Sequence, residues 1–310
     1  MLMHHSLPLV AAAAAMRAPP LMSSTLTWFD PIEKYYEATS QPALPSRPLM
    51  LVLPGLDGSG ITAWTQFPEL SEDYEIRALR IASDDRTSYE DLVDNVSAEV
   101  ASAQGNGREV LLLGESMGAG VALDVARAQS SSLSALVLVS PATGWDRTWL
   151  GKLRKWLITL PGWALGLVIA LTTYQLFDVD LMRTTAMRIA TGTKAPILDT
   201  PARIDYAWKV VADMPGAFAA PPDTIRHRIE QWAEPSIAAG RDLADLTVPL
   251  LIVAGTADLR VPAEAEAARL AQAAPAVCRA KVHLVEGAGH AGATDERLDL
   301  RAVLGAWARD

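Results

Sequence analysis

The chain is short of the residues that build disulfides and metal centres. Cys278 is its only cysteine, so no intrachain disulfide and no thiolate metal cluster can form. Its five histidines include no His-Glu-x-x-His pattern and no close pair except His4-His5. A metal enzyme is therefore disfavoured, and no metal or cofactor is expected. Basic charge is also scarce: the formal net charge is −9, and no lysine- or arginine-rich block occurs. Nucleic acid is excluded as an expected partner, because binding a phosphate backbone needs a concentrated basic face. What is present is a globular composition, with half of the residues hydrophobic and a fifth charged over 310 positions. That length supports a large core in one domain or two ordinary ones.

The first 29 residues contain no Asp or Glu and include "LPLVAAAAAMRAPPLMSS". The pattern shares features with a signal h-region and with a transit peptide. Arg17, its only basic residue, lies behind the apolar run, so neither fit is good. Residues 1–27 are read as a lead outside the fold, either disordered or targeting. Beyond it, short apolar runs alternate with helix-like segments. "LMLVL" (49–53), "IRALRI" (76–81), "VLLL" (110–113), "ALVLV" (135–139), "LLIVA" (250–254) and "KVHLV" (281–285) read as strands, most of them continuous enough for a parallel sheet buried on both faces. Segments 88–103, 119–129 and 262–274 read as helices. The expected fold class is α/β, a mostly parallel sheet flanked by helices. From about Trp145 to Pro235 the alternation breaks into a helical insertion. The domains so read are a core over 28–144 and 236–310, and a helical cap over 145–235.

Chemistry enters at Gly114-Glu115-Ser116-Met117-Gly118, between the run ending at 113 and a helix. A bare Gly-x-Ser-x-Gly would occur by chance in about one chain in ten of this length. Its context makes it specific, since a nucleophile elbow needs a strand, a turn too tight for bulky flanks and a helix beginning at the serine. A serine hydroxyl needs a base, and the base needs an orienting acid. In this class of elbow they follow in the order acid, then histidine. Asp258 lies just past "LLIVAG" and His290 lies in the glycine-lined loop after "KVHLV". Both would project from the same carboxyl edge of the sheet as Ser116, where open α/β sheets place their ligands. Asp146 is the alternative acid. His283 reads as a surface position on a strand, His227 as a solvated residue among charges, and His4 and His5 fall in the lead.

The loop "LPGLDGSG" (53–60) holds glycines in an order that fits neither the dinucleotide fingerprint nor a P-loop. It is expected to donate one backbone N–H of an oxyanion hole, from Leu56, with the other from Met117. Gly55 would let that backbone turn inward, and Asp57 is expected to bond within its own turn.

With these pieces in view the sequence resembles the α/β-hydrolase superfamily, and within it the esterase/lipase-like half of plant and algal phytyl ester synthases. The similar pieces are "WFDPIE" (28–33), "LPGLDGSG" (53–60), "GESMGAG" (114–120), "SPAT" (140–143), "GTADLRVP" (255–262) and "GAGH" (287–290), in the family's order. The resemblance implies a plastid enzyme that handles fatty acyl groups and alcohols such as phytol or diacylglycerol; the cytoplasm is the other compartment considered. Those synthases continue into an acyltransferase-like half, which this sequence lacks after His290. The expected activity is serine-dependent hydrolysis of carboxylic esters derived from lipids, with Ser116 as nucleophile, His290 as base and Asp258 orienting it. Acyl transfer to an alcohol is the alternative, and a non-catalytic lipid-binding module the alternative of another class.

Residues Trp156 to Phe177 carry no charge. The stretch has the length of a membrane span, but Pro161-Gly162 interrupts it and it falls where a cap over the site would lie. The three readings are cap helices lining an acyl pocket, an interfacial segment preceded by "KLRK" with peripheral membrane contact through 150–177, and a spanning helix.

Overall fold

The computed structural model describes residues 26–38, 47–173, 179–217, 220–290 and 295–309. Seven strands form one sheet in the order β1-β3-β2-β4-β5-β6-β7. They are β1 (Leu26–Phe29), β2 (Leu49–Leu53), β3 (Glu75–Ile81), β4 (Val110–Glu115), β5 (Ala135–Val139), β6 (Leu250–Gly255) and β7 (Lys281–Val285). All neighbouring pairs are parallel except β1 with β3. The parallel strands are the expected apolar runs, and β2, β4, β5 and β6 are buried along their whole length. Alternate side chains feed opposite layers: Leu49, Leu51 and Leu53 join one core cluster, Met50 and Val52 the other.

Between the strands run α1 (Phe67–Leu70), α2 (Tyr89–Gly105), α3 (Gly118–Ala128) and α10 (Ala263–Ala273), and α11 (Leu300–Trp307) closes the chain. Ser88 caps α2 by accepting from the Asp91 N–H, with Glu90 and Asp91 in the first turn where the helix dipole favours them. The stretch between β5 and β6 carries α4 (Trp149–Lys152), α5 (Arg154–Leu157), α6 (Gly162–Thr173), α7 (Val179–Thr191), α8 (Thr200–Ala217) and α9 (Pro222–Ala239).

Two details differ from the sequence reading. The edge strand β1 begins at Leu26, so Leu26 and Thr27 belong to the sheet and not to the lead; pairing Leu26 with Ile81 and Thr27 with Arg80 satisfies their backbone. The rest of the expected lead, residues 1–25, lies outside the described residues. The last helix of the insertion runs past Pro235 to Ala239, since a proline in a helix can be accommodated when packing holds both sides. The uncharged run is interrupted at Pro161-Gly162, as its sequence indicates. It divides into α5 and α6 around Pro161, and among the described residues no helix is long and apolar enough to cross a membrane.

Candidate active site

Because β2, β4, β6 and β7 are parallel, the loops after them open on one edge of the sheet. Ser116 stands at the end of β4 with φ of +54°, the left-handed conformation that projects its hydroxyl out of the turn. The turn needs bare flanks: a Cβ on Gly114 would lie 2.5 Å from the Gly118 carbonyl oxygen. The Ser116 N–H is tied to the Val139 carbonyl (3.0 Å) and α3 starts two residues on.

Ser116 Oγ lies 2.9 Å from His290 Nε2, and His290 Nδ1 lies 2.9 Å from Asp258 Oδ2. The structure thus joins the three residues expected from chain order. Asp258 is held in place by its other oxygen, which accepts from the Arg260 N–H (2.7 Å) and the Val261 N–H (3.1 Å). Its side chain is 1% exposed and that of His290 14%, so their pairing is sheltered from solvent while the imidazole edge still reaches the cavity. With Asp258 accepting at Nδ1, the proton sits on Nδ1 and Nε2 is left to accept from the serine.

Leu56, Met117, Ser116 and His290 line the same cavity. Gly55 packs directly on the elbow, where a Cβ would stand 3.0 Å from Ser116 Cβ. Asp57 bonds within its own turn, accepting from the Ser59 N–H (2.8 Å) and hydroxyl. The lining divides by chemistry. Leu150, Leu157, Leu165, Val168 and Ile169 of the insertion form an apolar wall with Ile225 and Ile229 of α9. Besides Ser116 and His290, Asp57, Thr62, Glu115, Thr172 and Arg260 supply its polar groups.

The alternative residues lie elsewhere. Asp146 pairs with Arg241 (3.7 Å). His283 is half-buried on β7 instead of a fully surface position, and burial lowers its pKa, while its neighbours Val282 and Leu284 are exposed. His227 is half-buried with Nε2 enclosed, because α9 is packed by α2, α3, α5 and α6 on several sides. His4 and His5 lie outside the described residues.

The sequence reading passed over Glu115, the variable residue of the elbow. It is 3% exposed, and its Oε2 has no hydrogen-bond partner among the described residues. Burial pushes its carboxyl up to about 7, with Asp57 adding to the rise and Thr62 and His290 opposing it. The available signal was an acidic residue at the end of an otherwise apolar strand.

The profile of the alpha/beta hydrolase family matches residues 23–302. The chain belongs to the alpha/beta hydrolase family. Among curated proteins the chain is similar to phytyl ester synthase 2, chloroplastic, of Arabidopsis thaliana, with 37% identity over 136 residues that cover 43% of the chain and 18% of that protein. It is also similar to phytyl ester synthase 1, chloroplastic, of the same plant, with 26% identity over 248 residues that cover 78% of the chain and 34% of that protein. The chain thus spans about a third or less of the length of the curated relatives it matches. Its fold is shared with a thermophilic esterase from Thermogutta terrifontis, at a TM-score of 0.56 and 18% identity, covering 92% of this chain and 93% of that one. MenH from S. aureus aligns at a TM-score of 0.59 and 13% identity over 93% and 98% of the two chains.

Proposed function

We propose that this alpha/beta hydrolase is a serine-dependent carboxylic ester hydrolase acting on acyl esters of lipid origin. The observation that carries the reading is the continuous contact from Ser116 Oγ through His290 to the buried Asp258. Ser116 Oγ attacks the ester carbonyl while its proton passes to His290 Nε2, and Asp258 stabilises the imidazolium. The tetrahedral oxyanion takes the N–H groups of Leu56 and Met117. Collapse breaks the bond to the alkoxy oxygen, which leaves as an alcohol with the proton from His290. Water then repeats the sequence on the acyl-serine and releases the acid. A fluorophosphonate probe tests the assignment: it labels the wild type at Ser116 in one-to-one stoichiometry. Absence of labelling rejects the hydrolase and returns the lipid-binding module.

The apolar wall over Ser116 supports a fatty acyl chain as the bound half of the ester. Palmitoyl esters are expected to turn over faster than acetyl esters, and the reverse order would reject the lipid assignment. The similarity to phytyl ester synthases favours a second reading, in which an alcohol such as phytol or diacylglycerol takes the acyl group in place of water. Counting new ester against free acid, with and without added alcohol, separates the two. The same relatives are chloroplastic, which supports the plastid as compartment.

The outer face of the insertion supports contact with a membrane surface. Trp149, Leu153, Trp156, Trp163, Leu167 and Leu171 are exposed. Lys152 and Lys155 stand exposed among them on a chain of net charge −9, a local basic rim suited to anionic headgroups. The described part of α6, Gly162–Thr173, is about 18 Å long by its 1.5 Å rise per residue, which suits an interfacial position.

A further inference from the structure

Helix α9 carries a stripe of buried residues at four-residue spacing, Thr224, Arg228, Trp232 and Ser236, each 3% exposed or less. Positions four apart share a helix face. Each of these side chains donates to a backbone carbonyl of the sheet's carboxyl edge. Thr224 Oγ1 donates to Ser83 O, and Trp232 Nε1 donates to Thr87 O (3.3 Å). Arg228 makes four such bonds: Nη1 to Leu56 O (2.9 Å) and Asp57 O (2.7 Å), and Nη2 to Ile81 O (3.1 Å) and Ala82 O (3.0 Å). Ser236 Oγ donates to Met117 O (3.3 Å).

The targets are not scattered. Leu56 and Met117 are the two residues whose N–H groups serve the oxyanion in the reading above, and α9 grips the carbonyl of each. Gly58 shows how closely the guanidinium fills the loop: its φ is +70°, and a Cβ there would lie 2.5 Å from Arg228 Nη1. The next strand's end is tied to the same turn, since Ile81 N–H donates to the Gly58 carbonyl (2.8 Å). Arg228 also stacks over Trp232, with Cζ 5.2 Å from the ring centroid. A buried guanidinium spending its donors on four carbonyls is costly unless it fixes something.

We propose that α9 sets the oxyanion hole from behind, with Arg228 and Ser236 as its positioning residues: Arg228 anchors the carbonyl of Leu56 and Ser236 that of Met117, each one peptide unit past the donating N–H and thereby limiting the rotation of that residue. The inference rests on the serine hydrolase reading. Neither side chain acts on the ester itself. Their effect is confined to the tetrahedral stage, where donors must already point at the developing charge.

The test measures Arg228→Lys, Ser236→Ala and Ser116→Ala with 4-nitrophenyl octanoate and with an n-alkyl boronic acid, whose tetrahedral adduct on the serine mimics the transition state. Arg228→Lys is expected to lower kcat about tenfold or more with KM within about twofold, to weaken boronate binding by the same factor as kcat/KM, and to leave the shape of the pH profile unchanged. Ser236→Ala is expected to lower both by about two- to fivefold. If Arg228→Lys does not fold, Ser236→Ala decides: matched losses in kcat and boronate affinity support the proposal, and wild-type values overturn it. An inactive Ser116→Ala beside wild-type kcat and boronate affinity in the other two variants overturns the bracing role alone. Wild-type turnover by Ser116→Ala removes the serine reading and this inference with it.

Discussion

Helices α6 and α9 belong to the same insertion and both wall the cavity, yet each breaks the usual partition of polar and apolar groups, in opposite directions. Helix α9 turns Thr224, Arg228, Trp232 and Ser236 inward, and each finds a backbone carbonyl. Helix α6 turns Leu165 inward to the cavity while Trp163, Leu167 and Leu171, at four-residue spacing, face outward. Burial of polar groups is tolerated where most donors find partners, as the two Nη atoms of Arg228 do while its Nε finds none among the described residues, and exposure of apolar ones where another apolar phase can cover them. Under the two proposals above, the two helices would separate two tasks of a cap, one fixing the reacting edge and the other meeting a lipid surface. Glu115 is buried like Arg228, and its Oε2, like Arg228 Nε, has no hydrogen-bond partner among the described residues.

The comparison breaks most visibly at Arg228. Arg228→Ala leaves four carbonyls without their donor and is expected to cost about 4 kcal/mol in denaturant unfolding. A cost below about 1 kcal/mol would mean that α9 is held by its apolar contacts alone.

Glu115 sharpens the contrast through pH. In the folded chain its carboxyl is pushed up to about 7 from the ordinary 4.5, mainly by burial. Between those values the unfolded chain binds fewer protons than the folded one, so this group's contribution falls as pH rises. The penalty is complete above the folded value and amounts to about 3 kcal/mol for a shift of this size. Glu115→Gln is therefore expected to raise stability over wild type at pH 8, with the gain vanishing towards pH 4. Melting curves across that range check it, and a gain that grows on acidification would contradict it.

Within α6 the two faces are expected to respond differently. Leu165, 1% exposed, should cost about 2–3 kcal/mol on truncation to alanine. Leu167, 55% exposed, should cost less than about 0.5 kcal/mol. Co-sedimentation with anionic phospholipid vesicles should reverse the ranking, with Leu167→Ser combined with Trp163→Ser weakening binding severalfold. Unchanged vesicle binding in that double variant would assign the outer face to something other than lipid.

Local chemistry made the reacting edge legible from sequence. Ser116 sits in a pentapeptide whose glycines are demanded by the turn, Asp258 follows a continuous apolar run that forms the buried strand β6, and His290 follows β7, a short alternating run legible by its glycine-lined loop. Strand β1 escaped because four alternating residues carry little periodic signal, and its place on the sheet comes from pairing with β3. Arg228 escaped for a different reason. In "TIRHRIEQ" it stands beside Arg226, His227 and Glu230, and composition alone reads such a run as solvated. Its burial follows from the four-residue stripe, whose carbonyl partners lie 119 to 172 positions away in sequence. The opposite leaning of α6 was visible as an uncharged run, but not which side would face out, since nearly every position is apolar.

The central claim is that Ser116 is the nucleophile of an ester hydrolase, and the most direct measurement is the turnover of a medium-chain 4-nitrophenyl ester by purified wild type and Ser116→Ala. The account predicts that the variant keeps the wild-type melting temperature within a few degrees and loses about 10⁴- to 10⁶-fold in kcat. A folded Ser116→Ala protein with wild-type turnover would contradict it.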